Sequence, residues 1–322
     1  MLGYIGSKFA LLGFIYDKAK TEVGCLSDKT FCDIFAGAGS VGNFFKDKVN
    51  KIVSNDMEYY SYVINRNLIQ NYRKIYFDFD ELNKIEGVEG FIYHNYSLAG
   101  NRKYFTENNA KKIDAVRQNI EKYRNDEDLY FFLLASLLDN VDKIANTTAV
   151  YNAYLKKFKS SALSDIIIRP YFFKETPNKD NIVYQEDSNE LIRRISGDIL
   201  YLDPPYNHRQ YGANYHILNT IAKYEEFIPR GVTGLPEYEK SAYCKKNDAK
   251  DCLEDLINYS DFEFIFLSYN NEGIIKKEEI EEMFLKYGEY KLFSKEHRRY
   301  RSGNWKQDTS TTIEYLHFCR KH

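Results

Sequence analysis

A glycine-rich turn near the N-terminus places the strongest constraint on how this 322-residue chain can fold. The segment from Asp33 to Gly42 reads DIFAGAGSVG, with the spacing G-x-G-x-x-G directly after a short apolar run. Small residues allow a backbone to approach a ligand closely, and a helix N-terminus offers free N–H groups to that ligand. The turn therefore predicts a strand, a ligand-binding loop and a helix in succession.

The residues around this turn predict the beginning of a doubly wound α/β sheet. Residues 31–35 are a candidate buried strand, and residues 51–56 are a second strand candidate that ends in Asp56, 19 positions after Gly37. An acid at that distance suits hydrogen bonds to ribose hydroxyls. NAD and S-adenosylmethionine both contain adenosine, so this part of the sequence leaves a dehydrogenase and a methyltransferase open.

The rest of the chain predicts a helical segment followed by a return to short strands. Residues 80–165 predict a mostly helical insertion, with helices at 110–123 and 127–145 and an extension over 151–158. The later strand candidates are 166–168, 182–184, 199–202, 262–268 and 312–318, and residues 207–250 read as a long polar segment. We therefore expect a catalytic domain made of residues 1–79 and 166–322, interrupted by the insertion.

A second motif, Asp203-Pro204-Pro205-Tyr206, follows an apolar strand candidate. This places it at the carboxyl end of the sheet, where open α/β folds bind their ligands. Proline has no backbone N–H, so the two prolines leave rigid carbonyl acceptors. Asp203 and the Pro204 carbonyl can accept both hydrogens of an exocyclic amine while Tyr206 stacks on the base. Hydride transfer requires no such group, so the motif favours methyl transfer.

Taken in order, these motifs resemble those of the D12-class DNA adenine-N6 methyltransferases in their α arrangement, over most of the chain outside the insertion. The resemblance implies a Rossmann-like methyltransferase sheet that binds S-adenosylmethionine and methylates N6 of an adenine flipped from double-stranded DNA. It implies that residues 80–165 are a target-recognition region. The catalytic residues it implies are Asp203, Pro204, Pro205 and Tyr206, and the cofactor-binding residues are Tyr4, Ile5, Gly6, Lys8, Asp33, Phe35, Ala36, Gly37, Gly39, Asp56, Met57 and Asp187.

The resemblance also implies roles for individual residues. Lys8, in the segment YIGSK, belongs to the motif that touches the methionine carboxylate, Asp56 binds the ribose, and Asp187 lies near the adenine of the cofactor. A likeness to a restriction-associated subgroup extends beyond the tetrapeptide. The candidate contacts to DNA or the flipped base are Arg209, Tyr211 and Tyr215. The segment 268–270 follows a late strand, and either a place in the lining of the base pocket or a structural role is open for it.

Bulk properties bear on cofactors, partners and location. No apolar run approaches the length of a membrane helix, and five scattered cysteines without C-x-x-C spacing favour a reducing cytoplasm. The sulfonium of the methyl donor is already an activated electrophile, so we expect no metal. The net charge of −2 gives no global sign of nucleic-acid binding, and the basic clusters at 156–159 and 297–301 are equally consistent with solvated faces. We expect a monomer that acts on double-stranded DNA, with a cognate restriction endonuclease as a further candidate partner.

Two alternative functions stay open at this point. An N4-cytosine methyltransferase would present the same tetrapeptide to a chemically similar amine. A catalytically silent DNA-binding subunit of a modification system would keep the same fold. The intact YIGSK, FAGAG and DPPY segments argue against loss of catalysis, although they leave open the need for a partner.

Overall fold

The computed structural model describes residues 8–177, 180–208, 210–238, 240–298 and 311–322. These residues divide into two compact units. The sheet unit comprises residues 8–57, 176–210 and 240–322, and the helical unit comprises residues 58–175 and 211–239. The helical unit is larger than the predicted insertion of residues 80–165, since it also contains the chain directly before it and a later segment. The functional division into a catalytic domain and a target-recognition region stays a prediction.

The sheet unit is built on a single sheet, which has seven strands in the described part of the chain. The strands are β1 (Thr30–Asp33), β2 (Lys51–Asn55), β3 (Ile182–Tyr184), β4 (Ser196–Leu202), β5 (Asp261–Asn270), β6 (Gly288–Arg298) and β7 (Thr311–Lys321). Their order is β3-β2-β1-β4-β5-β7-β6. Pairing is parallel from β3 to β5, whereas β7 is antiparallel to both β5 and β6. The strand order reverses between β1 and β4, which confirms the predicted doubly wound sheet.

Helices account for most of the remaining regular structure. In chain order they are α1 (Leu12–Val23), α2 (Ser40–Phe45), α3 (Tyr59–Asn65), α4 (Phe79–Asn83), α5 (Phe91–Tyr96), α6 (Glu107–Ile120), α7 (Glu127–Ile144), α8 (Ser160–Leu163), α9 (Ser188–Leu191), α10 (Tyr211–Asn214), α11 (His216–Lys223), α12 (Ala249–Tyr259) and α13 (Lys277–Leu285). None of the helices in the described ranges combines the length and apolar character that crossing a bilayer requires.

The centre of the sheet follows from the composition of its strands. β4 ends in the apolar run Ile199–Leu202, whose side chains are all buried. A central parallel strand is covered on both faces, so it carries apolar residues continuously instead of alternating them with polar ones. Leu200 and Leu202 pack into one hydrophobic cluster, and the ring of Tyr201 stacks near Phe31 on the other face. β4 therefore delivers Asp203 to the carboxyl edge from a fully covered strand.

The core of the helical unit forms around α7. The side chain of Asp126 caps this helix by accepting a hydrogen bond from the Leu129 N–H at 3.2 Å. The run from Tyr130 to Leu138 is buried throughout, and a helix that is apolar on all sides must be enclosed by other elements. The helix predicted over residues 127–145 is confirmed to within one residue.

Two predicted elements are wrong because side chains and distant backbone take up the local hydrogen bonds. Residues 151–158 are not helical, since the N–H of Tyr151 donates to the Asn214 carbonyl at 2.7 Å. Residues 166–168 form no strand, since the amides of Asn109 and Asn83 accept from the backbone of Ile166 and Ile168 at 2.9 and 2.8 Å. The segment 207–250, expected to be polar, contains α10, α11 and the first residues of α12, and α11 buries an apolar face.

Candidate active site

The glycine turn joins β1 to α2 in the conformation that its sequence predicts. Gly37 and Gly39 have φ values of 51° and 72°, in the left-handed region that favours glycine. The N–H of Gly39 donates to the Ala36 carbonyl at 2.8 Å, and the N–H of Ala36 donates to the Asn55 carbonyl at 2.9 Å. These bonds hold the loop as a bare stretch of backbone at the carboxyl edge, between β1 and β2.

Asp56 reaches the glycine turn directly. It follows β2, and its Oδ2 accepts a hydrogen bond of 2.7 Å from the N–H of Gly37. Met57 comes next with 51% of its surface exposed, and its carbonyl accepts from the Gln185 amide at 3.3 Å. The structure thus brings together the predicted cofactor-binding turn and Asp56, the acid predicted to bind the ribose.

Asn55 was missed by the sequence analysis, although it organises this edge. Its fully buried amide donates to the carbonyls of Ile34 and Glu186, both at 3.1 Å, and its Oδ1 accepts from the Glu186 N–H at 3.0 Å. One side chain therefore fixes the ends of β1, β2 and β3 relative to each other. An amide as the last residue of an otherwise buried strand was the available signal.

Asn189 bonds to Asp187 and to Tyr243, the residue on which Phe35 packs. The exposed Asp187 caps α9, because its Oδ1 accepts from the N–H groups of Asn189 and Glu190 at 2.9 and 3.1 Å. The ring of Phe35 packs edge-on against Tyr243 at 5.0 Å, and the Tyr243 hydroxyl donates to the Asn189 side chain at 2.7 Å. Asp187 therefore has a structural role as a helix cap, whereas its predicted contact with the cofactor adenine stays a prediction.

Asp203 forms a buried ion pair with Lys8. The Lys8 Nζ lies 2.9 Å from Asp203 Oδ1, and the two side chains are 4% and 18% exposed. Burial lowers the pKa of Lys8, but Asp203, Tyr206 and Glu314 together raise it above its ordinary value, so Lys8 is charged. Burial raises the pKa of Asp203, and the Lys8 ammonium opposes this shift only in part. The sequence placed Lys8 among the cofactor residues, whereas the structure pairs it with the predicted catalytic carboxylate.

Tyr206 rests on a second aromatic residue. Its ring lies edge-on to Tyr269, with 5.7 Å between centroids, and its carbonyl accepts from the Ile274 N–H at 2.9 Å. Tyr269 is itself fixed, since its hydroxyl accepts from the Ile275 N–H at 3.2 Å. A Cβ at Gly273 would lie only 2.1 Å from the Tyr269 ring, so this loop can close over the ring only with glycine. Tyr269, the middle residue of the segment 268–270, therefore supports the Tyr206 ring of the tetrapeptide by packing against it.

The three residues predicted to contact DNA differ in their placement. Tyr215 is 1% exposed and packs against Tyr60 and Tyr151 in the helical unit, at 5.4 and 6.5 Å between centroids. Its ring offers no surface to DNA in this arrangement, and we assign it a packing role. Tyr211 is partly exposed and stacks on Tyr215 at 6.4 Å. Arg209 lies outside the described residues, as do Tyr4, Ile5 and Gly6 of the predicted cofactor set.

Around the tetrapeptide, the part of the chain that the structure describes has more buried carboxyl groups than buried cations. Asp33 Oδ1 is buried and accepts no hydrogen bond from any described residue, and the same holds for Glu314 Oε2. Burial raises the pKa of Asp33 well above its ordinary value, and the nearby Asp203 and Asp56 raise it further. A surplus of acids beside a bare glycine turn fits a cofactor that combines adenosine with cationic sulfonium and ammonium groups.

Comparison with known proteins identifies the family. A family model described as D12 class N6 adenine-specific DNA methyltransferase matches residues 4–283. The chain is 49% identical to the Type II methyltransferase M.NlaIII of Neisseria lactamica over 99% of both chains. It is 39% identical to the Type II methyltransferase M.CviAII of Paramecium bursaria Chlorella virus 1, over 94% of this chain and 93% of the relative.

Solved structures give a more distant likeness. Magnesium protoporphyrin IX methyltransferase from Synechocystis PCC 6803, with bound SAM, matches at 8% identity and a TM-score of 0.37, covering 97% of this chain and 79% of that one. The methyl donor of the DNA methyltransferase family is S-adenosylmethionine, which confirms the predicted cofactor. Since the family model and relatives more than 30% identical span nearly the whole chain, the protein is a site-specific DNA methyltransferase that belongs to the D12 class of N6 adenine-specific enzymes.

Proposed function

We propose that this enzyme transfers a methyl group directly to N6 of an adenine flipped out of double-stranded DNA, with Asp203 as the acceptor for the amine. The observation that carries the proposal is the buried Lys8–Asp203 ion pair, whose Lys8 Nζ lies 5.2 Å from the centroid of the Tyr206 ring. The tetrapeptide from Asp203 to Tyr206 supplies a carboxylate, a rigid pair of prolines and an aromatic surface within four consecutive residues. These are the groups that a planar base with an exocyclic amine requires.

The role of Asp203 follows from the chemistry of the amine. A neutral aromatic amine is too weakly acidic to be deprotonated before it reacts, so Asp203 acts as a hydrogen-bond acceptor. Accepting from the amine aims the nitrogen lone pair away from the ring. Lys8 keeps Asp203 ionised against the effect of burial, because an opposite charge at 2.9 Å favours the charged form. The proton released from the methylated nitrogen leaves with or after methyl transfer.

The glycine turn, Asp56 and Lys8 are the residues proposed to hold S-adenosylmethionine, which supplies an activated methyl group when bound. The backbone at Gly37 and Gly39 allows close approach, and Asp56 is held against that backbone by its hydrogen bond to Gly37. The contribution of the chain is then positioning and electrostatics, which account for large rate enhancements when the reacting atoms are aligned.

Target recognition is proposed for the helical unit, including the predicted region of residues 80–165. Exposed lysines at positions 156 and 157 provide cations for phosphate contacts, and Arg209 and Tyr211 stay candidates for contacts around the flipped base. Extracting the adenine costs roughly a few kcal/mol of stacking and pairing. The relatives named as Type II methyltransferases support a partner restriction endonuclease as a further proposal. A cytoplasmic location and a monomer stay proposals that rest on the sequence alone.

Product analysis tests the proposed reaction. The enzyme is incubated with DNA and S-adenosylmethionine labelled in the methyl group, and the DNA is digested to nucleosides. We expect labelled N6-methyl-2′-deoxyadenosine; labelled N4-methyl-2′-deoxycytidine would refute the base assignment, and absence of label would indicate a silent subunit. Asp203→Ala is expected to abolish labelling while S-adenosylmethionine still binds in a calorimetric titration. Near-normal turnover of this variant would refute the role of Asp203.

A further inference from the structure

One face of the sheet collects acidic residues from several strands near the tetrapeptide. The hydroxyls of Tyr201 on β4 and Ser268 on β5 share a hydrogen bond of 2.7 Å, which places both side chains on this face. Side chains alternate along a strand. The alternation therefore assigns Asp203 to the face of Tyr201 and Asn270 to the face of Ser268.

Glu314 of β7 belongs to the same face. It lies opposite Asn270 in the antiparallel register of β5 and β7, and directly opposed residues project to one side. Its Oε2 is buried and accepts no hydrogen bond from any described residue. A buried carboxylate oxygen without a donor is costly, so its presence beside the tetrapeptide calls for an explanation.

The charges around Glu314 point to Lys8. Burial raises the pKa of Glu314, the Lys8 ammonium lowers it, and the Asp203 carboxylate raises it. On the other neighbouring strand, Lys295 lies opposite Glu314, but it is exposed and its Nζ lies over the Phe14 ring, 5.7 Å from the centroid.

The other described groups near Glu314 carry no positive charge. Asn270 on β5 is uncharged, and burial raises the pKa of the Tyr201 phenol, which the carboxyl groups raise further. Among the described residues, Lys8 is therefore the buried cation that Glu314 and Asp203 have in common.

We infer that Glu314 is a positioning residue for methyl transfer: it shares the Lys8 ammonium with Asp203 and so keeps the Asp203 carboxylate available to the target amine. The inference rests on the proposed role of Asp203. An ammonium committed to Asp203 alone would occupy the carboxylate and weaken it as an acceptor. With Glu314 as a second acid, the ammonium interacts with two carboxyl groups, so its interaction with Asp203 is weaker but still keeps Asp203 ionised.

The test compares Glu314→Gln, which removes the negative charge at nearly constant size, with Glu314→Asp, which keeps the charge on a shorter side chain. Glu296→Gln removes an exposed carboxylate from neighbouring β6 and serves as the control. Three quantities are measured: the single-turnover methylation rate against pH, the affinity for S-adenosylmethionine by calorimetry, and the free energy of unfolding of the cofactor-free protein at pH 5.5 and 8.

Glu314→Gln is expected to lower the plateau rate about tenfold and to move the acid limb about one pH unit lower, because removing a neighbouring like charge lowers the pKa of Asp203. S-adenosylmethionine affinity should fall by less than the plateau rate, since Glu314 is one of several acids around the site, and Glu314→Asp should recover most of the rate. Glu314→Gln should also raise the stability of the cofactor-free protein at pH 8, since it removes a buried negative charge. Glu296→Gln should match the wild type throughout.

The inference is overturned if Glu314→Gln keeps the wild-type rate and acid limb, or if its rate falls equally at every pH together with a loss of stability. It is also overturned if weaker cofactor binding accounts for the entire loss. The proposed function fails separately, when Asp203→Ala methylates DNA normally. An inactive Asp203→Ala together with an unchanged Glu314→Gln refutes the inference about Glu314 alone.

Discussion

Replacing Lys8 with methionine distinguishes the contact with the cofactor that the sequence predicts from the ion pair with Asp203 that the structure shows. The substitution keeps a long unbranched side chain but removes the ammonium that lies 2.9 Å from Asp203. Breaking a buried ion pair by removing one partner is strongly destabilising, by about 3–5 kcal/mol, because it leaves an uncompensated charge. Asp203 can limit this loss by taking up a proton.

The cost of this proton uptake sets the upper limit on the stability that Lys8→Met can lose. Protonating a carboxyl group with the ordinary value of 3.8 at pH 7 costs about 4 kcal/mol, at about 1.4 kcal/mol for each pH unit. Burial already raises the pKa of Asp203 above that value, so protonating Asp203 costs less and the largest loss of stability is below about 4 kcal/mol. Without Lys8, the folded-state pKa rises further above the unfolded one. Stability is then retained below the unfolded pKa and lost as the pH rises towards the folded pKa.

We therefore expect Lys8→Met to destabilise the cofactor-free protein little at pH 5 and by about 2–4 kcal/mol at pH 8. Urea unfolding at both pH values measures this difference. In an Asp203→Asn/Glu314→Gln background, in which both acids that act on Lys8 are neutral, Lys8→Met should lose its pH dependence. A destabilisation of equal size at pH 5 and pH 8 would contradict the assignment of Lys8 as the counter-ion of Asp203, and would leave contact with the cofactor as its main role.

Two further substitutions test how the edge of the sheet is held. Gly273→Ala should cost about 1–3 kcal/mol and weaken binding of a flipped 2-aminopurine, since the new methyl group would overlap the Tyr269 ring. Gly13→Ala, in α1 with open space around it, is the control and should stabilise by up to about 1 kcal/mol in thermal unfolding. Asn55→Ala should cost about 2–4 kcal/mol in urea and weaken S-adenosylmethionine binding, because three backbone groups just beyond the ends of β1 and β3 lose partners. Wild-type stability in either Gly273→Ala or Asn55→Ala would show that the corresponding contact is dispensable.

The parts of the site that the sequence predicted are those with a local signature. Gly37 and Gly39 are identifiable because a tight strand-to-helix turn needs left-handed backbone, and Asp203 because it follows a buried strand directly. Sheet order then brings these segments to one edge without further information, since parallel strands end on the same side.

The parts that the sequence did not predict depend on contacts between distant segments. The pairing of Lys8 with Asp203 joins the first residues of the described chain to the end of β4. Nothing in the alternation of β7 marks Glu314 as a buried acid. Similarly, residues 166–168 read as a strand by composition, and only the positions of Asn83 and Asn109 explain why their backbone pairs elsewhere.

The charge balance of the site explains why its stability and its activity should respond in opposite directions. Asp203 and Glu314 lie near Lys8, Asp33 lies near Asp203, and burial raises the pKa of each of these three acids. A folded-state acid with a raised pKa destabilises the protein as the pH rises, so the cofactor-free site is less stable at pH 8 than its packing alone would make it. A bound cationic cofactor reverses this by mass action and by charge. Removing an acid from this cluster should therefore stabilise the empty protein and impair methyl transfer, which is the opposite of what loss of a structural contact would do.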